Sequence, residues 1–258
     1  MPVVFIGHGS PMNTLAHTRY TNAWRHLGET IARPWAILMV SAHWTTRGTF
    51  VTTMAKPRTI HDFAGFPRAL FEVNYSAPGD PQLAARVREL LAPTEVHLDQ
   101  SWGLDHGTWS VLTHAFPKAD IPVVQLSLDI TQPADFHYAL AARLAPLRDD
   151  GVLIVGSGNV VHNLGLMQWT DDALPYDWAV RFNETVRDHL IVRQHKALTD
   201  MQALGSDARL SIPTPEHYLP LLYCIAQQGP DETLSFPVDG IEYGAIGMLT
   251  VAIGLQTQ

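Results

Sequence analysis

Cysteine is nearly absent from this sequence. The single thiol, Cys224 in 258 residues, excludes an intrachain disulfide and any thiolate cluster, so a metal bound by this chain must be held by imidazole and carboxylate. Positive charge is scarce too. Lys and Arg number 17 against 25 Asp and Glu, a formal net charge of −8. That balance disfavours nucleic acid and anionic membranes as partners, since both require clustered Lys and Arg. No apolar run approaches the ~20 residues of a membrane span. No basic-then-apolar leader precedes the first apolar segment, so a soluble, cytoplasmic protein is the expectation. Internal repeats and low-complexity tracts are lacking as well.

Hydrophobic residues make up 46% and charged residues 16%, a globular balance that argues against a disordered chain. Apolar strands and helical segments alternate throughout. Residues 1–258 therefore read as one three-layer α/β domain, with a central mixed, mostly parallel sheet flanked by helices. Val3–Ile6, Ala36–Ser41, Thr49–Thr53, Phe71–Tyr75, Val96–Leu98, Val123–Leu128, Val152–Val155, Phe236–Val238 and Gly247–Ile253 are the expected strands. The helices expected between them include Pro81–Leu91, Pro133–Leu147, a long one from Tyr176 towards His195, and one opened by Thr214 as N-cap with Pro215 at its first position.

Three of the strands share a feature. Val3–Ile6 runs into Gly7-His8-Gly9, Ile37–Val40 into Ser41-Ala42-His43, and Val152–Val155 into a glycine-rich segment ending at His162. In an α/β sheet the C-terminal strand ends are where ligands bind. His106, between Gly103 and Gly107, and His217, at the start of a helix, have similar settings. Any one of these five could be a hydrogen-bonded core histidine. Their recurrence points to a metal. Neutral imidazole suits Zn, Cu, Fe and Ni alike, so residue type does not select the ion. Of the other histidines, His17, His26, His97, His137, His189 and His195 read as surface or capping residues and His114 as a core residue. His61 is intermediate, because Asp62 beside it could simply hold it.

Gly7-His8-Gly9-Ser10-Pro11-Met12, Ser41-Ala42-His43-Trp44, His61–Pro67, Leu104–Trp109, Gly156–Asn163 and Pro213–Tyr218 occur in that order. Together they resemble the LigB-type, class III extradiol ring-cleavage dioxygenases, and within them the 4,5-DOPA extradiol dioxygenase-like branch. The resemblance implies opening of a catechol ring with O₂ to give a semialdehyde. It implies one divalent metal ion, Fe(II) for activity, with Zn(II) possible in the isolated protein. His8 and His43 match two ligands of the family, and the third falls at Glu216-His217, with His217 favoured and Glu216 the alternative. His162 matches a position beside the metal, as an acid/base or an added ligand, and His106 one that orients or protonates the substrate. His61, Phe66 and Tyr218 fit contacts to an aromatic substrate, and Arg47, Lys56 and Arg68 are candidates for the amino acid end of DOPA. The implied partners are a small aromatic diol and O₂. Rival readings are a zinc-dependent hydrolase using the same histidines, a metal-binding or storage protein, and a serine hydrolase at Gly156-Ser157-Gly158, which lacks the full nucleophile-elbow spacing.

Overall fold

The computed structural model describes residues 1–170 and 172–255. The chain enters β1 (Val3–Gly7) at once, makes a 3-10 turn at Pro11–Leu15 and forms α1 (Arg19–Thr30), β2 (Ala36–Thr46) and β3 (Thr49–Thr52). Next come α2 (Arg68–Phe71), α3 (Pro81–Leu91), β4 (Val96–Asp99), α4 (His106–Ala115), β5 (Val123–Asp129), α5 (Ala134–Ala142), α6 (Pro146–Asp149) and β6 (Val152–Gly158). The C-terminal part supplies α7 (Asp177–Ile191), a 3-10 turn at His195–Thr199, α8 (Gly205–Ser211), α9 (Leu219–Ile225) and four short strands. These are β7 (Leu234–Ser235), β8 (Ile241–Glu242), β9 (Ile246–Gly247) and β10 (Thr250–Ile253).

Eight strands form one sheet in the order β4-β3-β5-β2-β6-β1-β10-β7, and β8 and β9 make a separate ribbon. The central strands β5, β2, β6 and β1 are parallel, while β10 joins β1 antiparallel. Successive side chains point to opposite faces. Val3, Phe5, Leu38, Val124 and Ile154 pack into a layer with α3, α5, α7 and α9. Val4, Ile6, Ile37, Met39, Leu153 and Val155 pack against α1 and α4 on the other side. Both faces are covered, which is why the central strands read as unbroken apolar runs. The expected three-layer architecture is the observed one.

Several local expectations need correction. Phe71 ends α2, and the chain to Tyr75 forms no ladder; the Tyr75 N–H donates to Thr59 Oγ1 at 3.0 Å instead. Pro133–Leu147 is two helices rather than one, with α5 stopping before Pro146 opens α6. The helix towards His195 ends at Ile191, and Arg193 adopts φ +57°. Thr214 caps nothing: residues 213–218 are turns and α9 starts at Leu219. Phe236–Val238 lies just beyond β7, and 247–253 is divided between β9 and β10. His137 and His195 are buried rather than superficial. His137 donates from Nε2 to the Asp129 carbonyl (3.1 Å), so its Nδ1 accepts from the Tyr223 hydroxyl (3.0 Å). His114 is a satisfied core histidine, donating to the Asn13 carbonyl at 2.9 Å.

Candidate metal centre

The parallel register sets β1, β6 and β2 side by side, with Gly7 opposite Gly158 and Ser41 opposite Ser157. β1 and β6 end at this level while β2 runs on to Thr46, and His8, just past β1, and His43, within β2, are delivered there. Gly9 turns the chain away with φ +62°, a left-handed conformation that favours glycine. In β2 the pairing to β5 shifts register between Val40 and Thr45, an irregularity of the kind that re-aims a side chain at a site. Gly158 has a different reason. A Cβ there would sit 2.1 Å from the His217 carbonyl oxygen, and that oxygen accepts from the Asn159 N–H at 2.8 Å. The end of β6 thus holds the backbone of His217.

These elements bring His8, His43 and His217 together, with one ring nitrogen from each within 4.8 Å of the others. Hydrogen bonds fix the tautomers of His8 and His217. Ser157 Oγ donates to the Gly107 carbonyl (2.6 Å), so His8 Nδ1 is the donor in its 2.9 Å contact with Ser157 Oγ. The lone pair of His8 is then on Nε2. His43 turns Nδ1 towards Asp62 Oδ2 (3.7 Å), and its Nε2 lies 3.2 Å from His8 Nε2. His217 donates Nδ1–H to Glu216 Oε1 at 3.3 Å, which again leaves Nε2 as the lone pair. Two nitrogens bonded at about 2.0–2.1 Å to one tetrahedral ion stand roughly 3.3 Å apart, close to the His8–His43 separation. Three imidazoles with converging ring nitrogens, two of them oriented by hydrogen-bonded outer N–H groups and the third turned towards Asp62, fit a divalent cation. Glu216, the alternative ligand, lies behind His217 and accepts from Thr214 Oγ1 (2.7 Å).

Two more histidines flank the triad. The His162 ring stacks on His217 with centroids 3.4 Å apart and planes 7° from parallel. His106 opens α4 with Asp105 as its N-cap, and its ring centroid lies 3.7 Å from that of His43. Asp62 grips His106 twice, accepting from its backbone N–H and from its Nδ1–H, both at 2.9 Å. The orienting roles of Asp62 and Ser157 were not foreseen, because nothing in local spacing ties them to residues 44 and 149 positions away. His106 Nε2 is left to face the cavity. Asp105 is fully buried and holds Gln125 Nε2 (2.7 Å) and the Thr108 N–H (3.0 Å), fixing the start of α4.

Burial is the main reason the cluster stays neutral. It holds His8 and His217 well below the ordinary imidazole value, and neighbouring histidines add to the effect. Burial, then the charge of His106, take His43 down to about 3 against an opposing pull from Asp62. His162 falls to about 4 through burial, which Glu216 partly offsets. Burial alone would raise Asp62, but the His106 hydrogen bond and the His106 and His43 charges bring it below its usual range. Asp105 is raised by burial and then by Asp62. Because the imidazole values are depressed, the stability these groups contribute is complete above about pH 6.5 and is lost as pH falls towards 4. The melting temperature of metal-free protein, followed by calorimetry in chelator, is therefore expected to drop between pH 7 and 4. A flat profile contradicts the neutral cluster.

A cavity of about 250 Å³ opens over the histidines. His8, His43, His106, His162 and His217 form its floor, and Phe63, Phe66, Leu164, Met167, Trp169 and Tyr243 are among its walls. Phe66 is thus placed at the cavity. His61 and Tyr218 are not. His61 donates to the Val73 carbonyl (3.0 Å), and Tyr218 is fully buried with its hydroxyl on the Leu198 carbonyl (3.1 Å). Neither is among the residues that line the cavity, unlike Phe66. The wall residues 164–169 lie in a stretch without periodicity, so the sequence carried no signal for them. Cys224 is buried and its thiol is pushed upward by burial, so it is an inert packing residue. Among the described residues no helix is long and apolar enough to cross a membrane.

Comparison with known proteins agrees with the geometry. The chain is 52% identical over 259 residues to the 4,5-DOPA dioxygenase extradiol of Escherichia coli K12, covering 98% of this chain and 95% of that protein. It is 38% identical over 235 residues to the protein of the same name from Beta vulgaris, covering 87% and 86%. A crystal structure of an uncharacterised E. coli K12 protein superposes with a TM-score of 0.87 at 47% identity, covering 98% of this chain and all of that one. Residues 4–235 match the family described as the catalytic LigB subunit of aromatic ring-opening dioxygenase, and the chain belongs to that family.

Proposed function

We propose that this protein opens the ring of a catechol next to its hydroxyl-bearing carbons, adding both atoms of O₂ to give a semialdehyde. The convergence of His8, His43 and His217 under an aromatic-lined cavity carries the reading. Those three residues would hold one divalent ion, Fe(II) in the active enzyme, with Zn(II) able to occupy the same donors in isolated protein. When bound, such an ion polarises the catechol hydroxyls, lowers their pKa and leaves positions for O₂. The relatives' names make DOPA-like catechols the first substrates to try.

The chain's own residues handle protons and orientation. His162, neutral well below physiological pH and stacked on His217, is the base that takes a catechol proton and later returns one as the ring opens. His106, whose Nδ1–H is committed to Asp62, turns Nε2 to the substrate and assists. Phe63 and Phe66 cover the ring and exclude water. A hydrolase built on the same histidines is redox-silent, which separates it from this reading. Anaerobic loading with Fe(II), addition of a catechol panel and exposure to oxygen should produce a yellow ring-opened semialdehyde. A colourless reaction with no oxygen uptake contradicts the assignment.

Asp62 offers a more local check. Asp62→Asn keeps a hydrogen-bonding group beside His106 but removes the charge that faces both His106 and His43. Changes to groups that orient a metal site's histidines typically lower activity or affinity about 10–100-fold. A loss of that size in turnover is expected from steady-state kinetics of the iron-loaded variant. Wild-type rates contradict the orienting role.

A further inference from the structure

The first turn of α4 is tied to two of the metal-binding histidines as well as to His106. His8 donates Nδ1–H to Ser157 Oγ (2.9 Å), and Ser157 donates its hydroxyl proton to the Gly107 carbonyl (2.6 Å). Gly107 follows His106 directly in α4. It also abuts His43: a Cβ on Gly107 would collide with Ser41 Oγ and stand 2.9 Å from His43 Cδ2. Ser41 Oγ in turn accepts from the His43 N–H at 3.2 Å. Asp62 holds His106 through its N–H and Nδ1–H, both at 2.9 Å, and the Oδ2 that takes Nδ1–H stands 3.7 Å from His43 Nδ1. His8 and His43 close the circuit, with their Nε2 atoms 3.2 Å apart.

Ser157 and Gly107 are buried, and neither is among the residues that line the cavity. Both therefore act through the histidines and not on the substrate. Loss of the Ser157 hydroxyl leaves a buried imidazole N–H and a buried carbonyl unpaired, which costs more than losing an exposed hydrogen bond. Alanine is ordinarily the better residue at a helical position, since glycine loses more backbone freedom. At 107 the space for that methyl group is already taken by Ser41 and His43. We infer that the first turn of α4 is a positioning element shared by the metal ligands and His106, with Ser157 and Gly107 as its contact residues. Ion binding and the placement of His106 are then energetically coupled. The inference rests on the ring-cleavage reading and adds how the ligands and the substrate-facing imidazole are kept in register.

Zn(II) affinity, measured by competition with a chromophoric chelator, tests the coupling without turnover. Ser157→Ala and Asp62→Ala should each weaken zinc binding about 10–100-fold, the usual cost of removing a ligand's hydrogen-bonding partner. Because each change frees the same turn, the double variant should fall short of the product of the two losses by at least about threefold. Gly107→Ala should weaken zinc binding about tenfold or more, with the far-UV circular dichroism of the wild type. With iron at saturating concentration, Ser157→Ala should still lower kcat about tenfold, with KM for a catechol little changed, because His106 stays displaced. Zinc losses that simply multiply overturn the inference. So does wild-type zinc affinity in a folded Gly107→Ala variant, or a wild-type kcat in iron-saturated Ser157→Ala. Where Gly107→Ala does not fold, the Ser157–Asp62 cycle decides alone. If the wild-type protein opens no catechol, ring cleavage is contradicted, and the zinc cycle still decides the coupling.

Discussion

Exchange of His217 for Ala should strip the protein of its metal and reduce ring cleavage to background. Zinc sites with four ligands bind with an apparent 10–16 kcal/mol, or about 3 kcal/mol per ligand, so losing one costs roughly a hundredfold or more in affinity. His8→Ala should behave alike, since its Nε2 faces His43 Nε2 at 3.2 Å. Glu216→Gln is the informative control. Glu216 lies behind His217 as the acceptor of its Nδ1–H, so its replacement should weaken metal binding only about 10–100-fold, as removal of an orienting partner does. Competition titration with a chromophoric chelator gives all three affinities. If Glu216→Gln empties the site and His217→Ala does not, the carboxylate is the ligand and the assignment of His217 is wrong.

The second large effect falls on turnover alone. His162→Ala should lower kcat by about 10²–10⁴, the usual contribution of a positioned acid or base, while the metal-to-protein ratio stays at the wild-type value. Two observations support this separation. His162 packs face to face on His217 and is not one of the three imidazoles His8, His43 and His217 that converge, its own nitrogen grouping with Glu216 and His217 instead. Burial takes it to about 4, so it is an unprotonated acceptor at neutral pH. Metal analysis beside stopped-flow kinetics tests both halves. Loss of the metal together with activity means that His162 is a ligand, and the base must then be sought at His106.

The parts that could be read from the sequence were those whose cause is local. The apolar runs at β1, β2 and β6 declare strands buried on both faces, and glycine at positions 7, 9, 156 and 158 marks where the chain must bend or let a neighbour approach. Helix α3 declares itself through Asp80, Pro81 and its spacing of Leu83, Val87 and Leu91. What stayed hidden depends on residues distant in the chain. His137 looks like a surface residue among its neighbours, and only Tyr223, 86 positions on, shows it to be internal. Tyr218 follows His217 directly, yet the turn into α9 sends the two side chains to different sides, one to the metal group and the other into the core against Phe182. Asp62 and Ser157, which set the tautomers of His106 and His8, sit in motifs whose visible residue is a histidine or a glycine. The cavity wall at Leu164, Met167 and Trp169 has neither periodicity nor motif, so only the coordinates place it over the histidines.

Anomalous diffraction from crystals of the protein loaded with one equivalent of Zn(II), or of Fe(II) without oxygen, reaches the central point in one step. A single peak about 2.0–2.1 Å from ring nitrogens of His8, His43 and His217 together, with His106 and His162 beyond bonding distance, is the predicted result. A peak bound instead by Glu216 and His162, or the absence of any ion shared by those three imidazoles, would contradict it.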